Sequence, residues 1–368
     1  MLDTLREAME LTKISCAVML DTKGPEIRTG FYKEGGKIQL TQGQSLEITT
    51  DYDFKGDNTK IACTYKDLPN SVKPGDTILI ADGSVSAVVR EILKDGVRVE
   101  LSNSAEIGER KNMNLPGVKV KLPTLTDQDI KDIKEWGIPN GIDAIAASFI
   151  RSAEDIKFIR GVLGIRAQHI KIISKIENQE GLENYGEILE ASDGIMVARG
   201  DLGMEIPSQK VFLAQKWMIR LANQKCKPIV TATQMLESMI EKPRPTRAEA
   251  TDVANAVLDG SDCVMLSGET AGGKYPVEAV TIMSEVCREA EGCLNYFNLY
   301  EDTIKEQVLN GRFSTGEGVT SAAVTTARKI GASLIIVLTE HGNSARLLAK
   351  YRPEQPILAC SMDKKVIN

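Results

Sequence analysis

The sequence predicts an α/β protein: a parallel β/α barrel with six of its eight strands, an inserted all-β domain and a partial C-terminal α/β domain. Three observations predict this architecture. Short apolar runs alternate with amphipathic helical patterns through most of the chain. Residues 31–119 interrupt that alternation with short β runs and turn signals. After residue 294 a second, separate α/β pattern begins.

The barrel strands are expected where apolar runs stop at polar residues. These runs cover residues 17–21, 144–147, 170–174, 194–198, 228–232 and 263–266. Helices are expected at 1–13, from the N-cap residues Thr126 and Ser152, near 180–190, and at 208–225, 246–258 and 276–291. A closed barrel needs eight strands, and this chain opens on a helix with no strand before it. We therefore expect two strands to be missing from the N-terminus.

The rest of the chain divides around this barrel. Gly35-Gly36, Pro74-Gly75 and Asp82-Gly83 punctuate the β runs of the insertion. The alternation of strands and helices breaks near Asn295, and a helix at 318–330, a strand at 334–339, a helix at 343–350 and a strand at 357–360 then follow. We expect a barrel domain at 1–30 and 120–294, a β-rich domain at 31–119 and a partial C-terminal domain at 295–368.

Composition and charge argue against several classes of protein. The net charge of -6, with charges of both signs interspersed, argues against nucleic-acid binding. No apolar run approaches the ~18 residues of a membrane span and no signal peptide is evident, so the cytoplasm is the expected location. The seven cysteines include no C-x-x-C pair, which favours buried or unreactive thiols over a disulfide framework or a zinc site. His169 and His341 are too few for a multi-histidine metal site.

Charged side chains at the ends of the expected strands form the strongest functional signal. Lys175 and Glu177 lie two residues apart and share a face, and Asp201 follows the next strand. Barrel enzymes carry their active sites at this edge of the sheet. Two carboxylates suit Mg²⁺ or Mn²⁺ bound partly through substrate oxygens, and a lysine beside them would neutralise a transferring phosphoryl group. On spacing alone, a Lys–Glu ion pair that caps the strands is the alternative.

Neutral groups accompany these charges. Gly200 and Gly203 flank Asp201, where backbone N–H groups could hold an anion or form a plain tight turn. Thr231 and Thr233 end the next strand with hydroxyls that can hold substrate, relay a proton or bond the backbone.

The first expected strand ends in another group of polar residues. Asp21 and Thr22 offer hard oxygen ligands, and Arg28 offers a fork for phosphate. A turn that contains an ion pair is the alternative for this segment.

These residues lie in long segments that resemble the pyruvate kinase family. The segments are Leu20–Gly30, Asn114–Gly117, Ser174–Asn178, Ala191–Gly203, Ala232–Met239, Lys242–Glu249 and Met265–Thr270. The resemblance covers essentially the whole chain. It implies a barrel, a β-rich lid inserted after the third strand, and a C-terminal α/β domain. The implied activity is the last step of glycolysis, a phosphotransferase reaction from phosphoenolpyruvate to ADP that gives pyruvate and ATP in a cytoplasmic homotetramer.

The resemblance also implies two cation sites. Glu177 and Asp201 match the ligands of Mg²⁺ or Mn²⁺, and Asp21 and Thr22 match two of the K⁺ ligands. Glu26 occupies the position where glutamate accompanies K⁺ dependence in the family.

Substrate contacts are implied in the same way. Lys175 matches the group that stabilises the phosphoryl in transit. Gly200, Asp201 and Thr233 match substrate contacts, with Thr233 near the enolate carbon that is protonated. The implied contacts to the nucleotide phosphates are Arg28 and Lys111.

Two departures from the family pattern keep other interpretations open. The family's first two barrel strands, with an Arg-x-Asn-x-Ser-His segment, have no counterpart, and the C-terminal domain lacks its second half. A catalytically inactive truncated isoform or paralogue that acts by subunit association is therefore one alternative. Another is a different Mg²⁺-dependent barrel enzyme acting on pyruvate or phosphoenolpyruvate, such as an aldolase. The β insertion and the C-terminal domain argue against this second alternative.

Overall fold

The computed structural model describes residues 1–311, 313–363 and 366. Its strands are β1 (Met19–Asp21), β2 (Lys37–Leu40), β3 (Ser45–Thr49), β4 (Lys60–Ala62), β5 (Thr77–Ile80), β6 (Val85–Leu93), β7 (Gly96–Leu101), β8 (Ala105–Gly108), β9 (Met113–Asn114), β10 (Ala144–Ala147), β11 (Lys171–Ile176), β12 (Gly194–Ala198), β13 (Ile229–Ala232), β14 (Cys263–Met265), β15 (Ile335–Leu338) and β16 (Ile357–Cys360). Its α-helices are α1 (Leu2–Thr12), α2 (Leu68–Ser71), α3 (Asp127–Lys131), α4 (Ala153–Leu163), α5 (Gln179–Glu183), α6 (Tyr185–Ala191), α7 (Arg199–Glu205), α8 (Ser208–Gln224), α9 (Arg247–Leu258), α10 (Gly268–Ala271), α11 (Pro276–Gly292), α12 (Tyr296–Asn310), α13 (Thr315–Lys329) and α14 (Asn343–Lys350).

A six-stranded parallel sheet with the order β1-β10-β11-β12-β13-β14 forms the centre of the barrel part. Its strands are rich in Ile, Val and Ala because both faces of a parallel sheet are buried. The outer face packs on α4, α6 and α8 through side chains that include Ile145, Ile172 and Ile195. The inner face carries a smaller cluster around Ala146, Met196 and Ala232. The predicted partial barrel of six strands is confirmed.

The helix after Thr126 begins as the sequence predicts, but its second half and the end of strand β11 differ from the expectation. The capping box at Thr126 is present, since Thr126 Oγ1 accepts from the Asp129 amide at 3.1 Å and the Asp129 carboxylate accepts from the Thr126 amide at 2.8 Å. That helix continues as a π-helical turn over Asp132–Gly137. β11 runs to Ile176 rather than stopping at residue 174, so Lys175 lies within the strand.

A repeated aspartate fixes the amino ends of alternate strands. In each case an aspartate lies just before a strand, and its carboxylate accepts a hydrogen bond from a backbone amide at the start of the neighbouring strand. The pairs are Asp143 with Val18 at 2.7 Å, Asp193 with Ile172 at 2.8 Å and Asp262 with Ile229 at 2.9 Å. These bonds hold the register of the sheet from the edge opposite the candidate site.

The β-rich insertion has a core of its own. Its mixed sheet has the order β4-β3-β7-β6-β5-β9, and β2 pairs with β8 beside it. Alternate residues such as Ile48, Ile78 and Val99 are buried between the layers. The insertion leaves the barrel after β1 and returns through β9, where Arg28 and Asn112 form an isolated antiparallel bridge.

The C-terminal part contains the parallel pair β15-β16 and a helix, α12, that the sequence pattern did not predict. The Asn295-Tyr-Phe-Asn298 segment, read as a break, is the start of α12, because the Asn295 side chain accepts from the Asn298 amide at 3.0 Å. Tyr300 and Ile304 of this helix pack against the C-terminal core. Among the described residues, no helix combines the length and apolar character needed to cross a bilayer.

Candidate active site

The polar strand ends meet at the carboxyl edge of the six-stranded sheet. β11 and β12 remain in register up to the pair Ile176 and Val197, so these strands end almost level. Side chains alternate along a strand, and Lys175 and Glu177 therefore continue the inner face to which Ile173 belongs. The predicted active-site edge is thus lined by charged groups that point toward the barrel interior.

Lys175 is at the centre of this group. Its Nζ lies 3.1 Å from Asp21 Oδ1 and 3.1 Å from Glu177 Oε1, and it donates to Ser148 Oγ at 2.9 Å. Only 13% of its side chain is exposed. Burial by itself would lower the pKa of Lys175. The negative charges of Glu177 and Asp21 outweigh this effect of burial, so the pKa of Lys175 is raised. The ammonium group is therefore held cationic by two carboxylates.

Glu177 is buried, with 1% of its surface exposed. Its Oε2 accepts from the Phe149 amide at 2.6 Å. Burial raises the pKa of Glu177 to about 7, Lys175 opposes the rise, and Asp201 adds to it. A carboxylate with this pKa is destabilised by its surroundings in the absence of further positive charge.

Asp201 adds a second carboxylate from the start of α7. Burial raises its pKa, Lys175 opposes the rise, and Glu26 and Asp82 increase it. Hard oxygen donors with excess negative charge fit a divalent cation such as Mg²⁺. No cluster of three or more His, Cys, Asp or Glu side chains in the described part of the chain has metal-binding geometry. Glu177 and Asp201 are the two carboxylates here that could hold such a cation, together with oxygens of substrate or water.

The residues expected at a K⁺ site lie beside Lys175 at the end of β1. The Asp21 side chain is 48% exposed and pairs with Lys175. Thr22 is buried, and its carbonyl oxygen accepts from Ser148 Oγ at 2.6 Å while its Oγ1 accepts from the Ser148 amide at 3.1 Å. The structure thus brings Asp21 to the predicted phosphoryl site and joins Thr22 to the loop after β10.

The two threonines at the end of β13 have different surroundings. Thr231 is buried, and its hydroxyl forms a hydrogen bond with Ser261 Oγ at 2.7 Å. This hydroxyl therefore has a structural role and does not face the candidate site. Thr233 follows the strand, and its Oγ1 accepts from the Gly200 amide at 2.7 Å. Thr233, Gly200 and Asp201 are therefore brought together at the candidate site.

Arg28 and Lys111 face the same cleft from the side of the insertion. This cleft has a volume of about 630 Å³, and its lining residues include Asp201 and Glu26. Arg28 Nε donates to Glu26 Oε2 at 2.8 Å, and Nη1 donates to the Arg110 carbonyl at 2.9 Å. Lys111 is exposed. The two cations predicted to contact nucleotide phosphates thus line a cleft that also contains Asp201.

Ser148 and Phe149 contribute to the site and were missed in the sequence reading. Ser148 contacts Lys175 and Thr22, and the Phe149 amide holds Glu177, with Phe149 at φ 55°. Both residues directly follow the apolar run 144–147. The rule applied to the neighbouring strands, that polar groups after a strand belong to the site, would have identified Ser148, whereas Phe149 acts through its backbone amide and leaves no signal in its side chain.

The return connection of the insertion is bonded to the candidate site through Glu205. Asn114 Nδ2 donates to Glu205 Oε1 at 3.0 Å, and Glu205 ends α7, the helix that carries Asp201. Arg151 holds the following segment by donating to the carbonyls of Val120 and Leu122 at 2.9 and 2.6 Å. The return connection of the insertion is therefore coupled by a direct bond to the helix that bears Asp201.

Replacing Asn114 by alanine is expected to loosen this connection. The change leaves the half-buried Glu205 carboxylate without the Asn114 amide, which costs roughly 1–2 kcal/mol of local stability. Backbone amides of residues 113–118 should then exchange with solvent about 5–30-fold faster in hydrogen–deuterium exchange. Asn103→Ala is the matched control, because Asn103 bonds Ser84 and Ser86 within the insertion. Equal protection of 113–118 in Asn114→Ala and wild type would contradict the coupling.

The raised pKa of Glu177 predicts pH-dependent metal stabilisation. In the metal-free chain, the stability gained from protonated Glu177 is present below about pH 4.5 and lost as the pH rises to about 7. A divalent cation requires the ionised carboxylate. The rise in Tm caused by Mn²⁺ should therefore be larger at about pH 8 than at about pH 6 in thermal unfolding. Glu177→Gln should remove this difference, whereas an equal Tm rise at both pH values in wild type would refute the prediction.

Comparison with known proteins agrees with this architecture. Residues 1–280 match the family model described as pyruvate kinase, barrel domain, and residues 317–368 match the one described as pyruvate kinase, alpha/beta domain. The chain is 60% identical over 351 residues to a pyruvate kinase of Eimeria tenella, covering 95% of this chain and 66% of that protein. It is 58% identical over 360 residues to a cytosolic pyruvate kinase isozyme of Glycine max, covering 97% and 70% of the two chains.

A solved structure gives the same result in three dimensions. The crystal structure of a pyruvate kinase from Cryptosporidium parvum superposes with a TM-score of 0.95 at 52% sequence identity. The match covers 99% of this chain and 75% of that one. The chain thus spans about two thirds to three quarters of the length of these relatives. Both family models, these relatives and this structure agree, and the chain belongs to the pyruvate kinase family.

Proposed function

We propose that this chain catalyses phosphoryl transfer from phosphoenolpyruvate to ADP, giving pyruvate and ATP. The observation that carries the proposal is the convergence of Lys175, Glu177 and Asp201 on one edge of the sheet, where Asp201 also lines a cleft shared with Arg28 and Lys111. Phosphoryl transfer needs positioning and charge neutralisation more than covalent chemistry by the protein. An ammonium group among carboxylates, next to a cleft lined by two further cations, would provide those elements.

Lys175 would act on the phosphoryl group in transit. The bond from phosphorus to the enol oxygen breaks, and a new bond forms to a terminal oxygen of ADP. Negative charge is spread over the phosphoryl oxygens during this exchange, and an ammonium group held in place stabilises it without reorganisation. The bonds to Asp21, Glu177 and Ser148 would fix that position.

Thr233 and Gly200 would hold the organic part of the substrate. Loss of the phosphoryl group leaves an enolate, which becomes pyruvate when its terminal carbon gains a proton. Thr233 Oγ1 is held by the Gly200 amide, next to Asp201. We propose that this hydroxyl faces the carbon that is protonated.

Glu177 and Asp201 would hold Mg²⁺ or Mn²⁺, and Asp21 and Thr22 would contribute to a K⁺ site. When bound, these cations neutralise phosphate and carboxylate oxygens of the substrates. The raised pKa values of Glu177 and Asp201 support the divalent site, because positive charge would relieve the cause of both shifts.

The remaining proposals concern the whole molecule. We propose that residues 31–119 act as a lid on a barrel domain at 1–30 and 120–294, with a C-terminal domain at 295–368. Closure of the lid would bring Lys111 onto the nucleotide phosphates beside Arg28 and exclude water. The soybean relative is named a cytosolic isozyme, and we propose a cytoplasmic homotetramer on the same family basis.

A coupled assay tests the proposed reaction on this 368-residue chain. With phosphoenolpyruvate, ADP, Mg²⁺, K⁺, lactate dehydrogenase and NADH, we expect NADH oxidation that requires both substrates and both cations. Absence of turnover at any protein concentration would contradict the proposal and favour an inactive chain acting by subunit association. Pyruvate release from a hydroxy acid without ADP would favour an aldolase instead.

A further inference from the structure

The backbone after β13 adopts a conformation that its residues disfavour. Thr233 has φ 69° and Gln234 has φ 53°, so two successive residues other than glycine occupy the left-handed region. For a β-branched residue such as threonine this region is an outlier. Such strain persists only where the surrounding structure holds it, and it clusters at functional sites. This turn carries Thr233, whose hydroxyl reaches the Gly200 amide.

Arg199 holds this turn by its carbonyl oxygens. Its Nη2 donates to the Thr233 carbonyl at 2.8 Å and to the Gln234 carbonyl at 3.3 Å, and Nε donates to the Thr233 carbonyl at 3.3 Å. The planar guanidinium can bond both carbonyls at once, whereas an ammonium group lacks this fork. The Arg199 side chain is 11% exposed, so these bonds are largely shielded from water.

Asp252 of α9 orients the guanidinium from its other side. Arg199 Nη1 donates to Asp252 Oδ1 at 2.8 Å, and the second carboxylate oxygen lies 2.7 Å away. Neither Arg199 nor Asp252 lines the cleft that contains Asp201. The pair therefore reaches the candidate site only through the Thr233–Gln234 backbone and through the start of α7.

We propose that Arg199, oriented by Asp252, is a positioning residue that keeps Thr233 in the left-handed conformation and so sets its hydroxyl against Gly200. The inference rests on the proposed function only in assigning Thr233 to substrate protonation. Without the guanidinium, the turn can relax toward negative φ, and Thr233 Oγ1 then moves away from the Gly200 amide.

A plain structural role is the competing explanation, and the chain contains a matched example of it. Arg160 forms an ion pair with Asp193 and donates to the Ile170 carbonyl at 2.6 Å. This arrangement lies at the opposite, amino edge of the same sheet, and Ile170 is not among the residues with positive φ. Arg160 therefore offers the same chemistry of arginine, aspartate and carbonyl without a strained turn or a site residue.

The test compares Arg199→Met, Arg199→Lys and Asp252→Asn with Arg160→Met in the full chain. We expect Arg199→Met to lower kcat by about 10²-fold, because a small displacement of a positioned group has effects of that size. The KM for ADP should stay within about 2-fold of wild type, because Arg199 does not line the nucleotide cleft. Arg199→Lys should retain more activity than Arg199→Met, and Arg160→Met should lower Tm and leave kcat unchanged.

Backbone conformation provides a readout that does not depend on turnover. Crystal structures of wild type and of Arg199→Lys should show Thr233 at positive φ in the first and relaxed to negative φ, or disordered, in the second. An unchanged kcat together with an unchanged Thr233 φ in the Arg199 variants would overturn the proposal. If Arg199→Met does not fold, Arg199→Lys and Asp252→Asn decide by the same criteria. If wild type shows no turnover, the proposed function fails, and the Thr233 conformation still decides the role of Arg199.

Discussion

Replacing Lys175 by methionine is expected to lower the rate of ATP formation by about 10³–10⁵-fold. The change removes the one ammonium group that lies among Asp21, Glu177 and Ser148 at the inner edge of the described sheet. A cation that stabilises the transferring phosphoryl group acts mainly in the transition state, so kcat should fall far more than the affinity for ADP. The coupled assay measures kcat, and titration of ADP measures its binding.

The fold should survive this change. Removal of Lys175 leaves the buried Glu177 carboxylate without its cation, but the pKa of Glu177 is already about 7 and should rise further. The carboxyl group then takes up a proton rather than remaining as an unpaired buried charge. Circular dichroism and Tm of Lys175→Met should therefore stay close to those of wild type near neutral pH.

Lys171→Met is the matched control for the lysine. Lys171 begins the same strand, β11, at the opposite edge of the sheet, and its side chain is exposed. We expect Lys171→Met to retain wild-type kcat within about 2-fold, as surface substitutions usually change little. Equal losses in the two variants, or full activity in Lys175→Met, would remove Lys175 from the proposed reaction.

Glu177→Gln is expected to abolish metal-dependent turnover, with a fall in kcat/KM of about 10²–10³-fold or more. The amide keeps the shape of the side chain and can still accept from the Phe149 amide, which is 2.6 Å from Glu177 Oε2 in the parent chain. It loses the negative charge that a divalent cation requires. Asp201→Asn should have a similar effect, and electron paramagnetic resonance of Mn²⁺ should show weaker binding in both variants.

Glu190→Gln provides the control for the carboxylate changes. Glu190 lies in the last turn of α6, on the outside of the barrel part. Its side chain is 61% exposed and pairs with Lys225. Mn²⁺ binding and kcat of this variant should equal those of wild type. Wild-type Mn²⁺ affinity in both Glu177→Gln and Asp201→Asn would show that these carboxylates do not form the divalent site.

The sequence was sufficient to predict the strands and the edge at which they carry chemistry. Parallel strands that are buried on both faces leave apolar runs, and charged residues such as Lys175 and Asp201 stand out where those runs stop. The inner-face position of Lys175 and Glu177 follows from the two-residue period of a strand. These features depend on local sequence, which explains why they could be predicted.

Other parts depend on contacts between distant segments and could not be read from local patterns. The bond between Asn114 and Glu205 joins residues 91 positions apart, and the strained turn at Thr233 is held by a side chain 34 positions away. Helix α12 was missed for a different reason. Its N-cap Asn295 resembles a loop residue until the bond to the Asn298 amide is known.

The most direct test of the account is to follow phosphorus through the reaction by ³¹P nuclear magnetic resonance. Wild-type chain and Lys175→Met are each incubated with phosphoenolpyruvate, ADP, Mg²⁺ and K⁺. We predict that the phosphoenolpyruvate signal of the wild-type sample declines while the γ-phosphate signal of ATP rises in equal amount, and that neither changes in the variant over the same time. Release of inorganic phosphate instead of ATP, or equal conversion by both proteins, would contradict phosphoryl transfer at the Lys175 site.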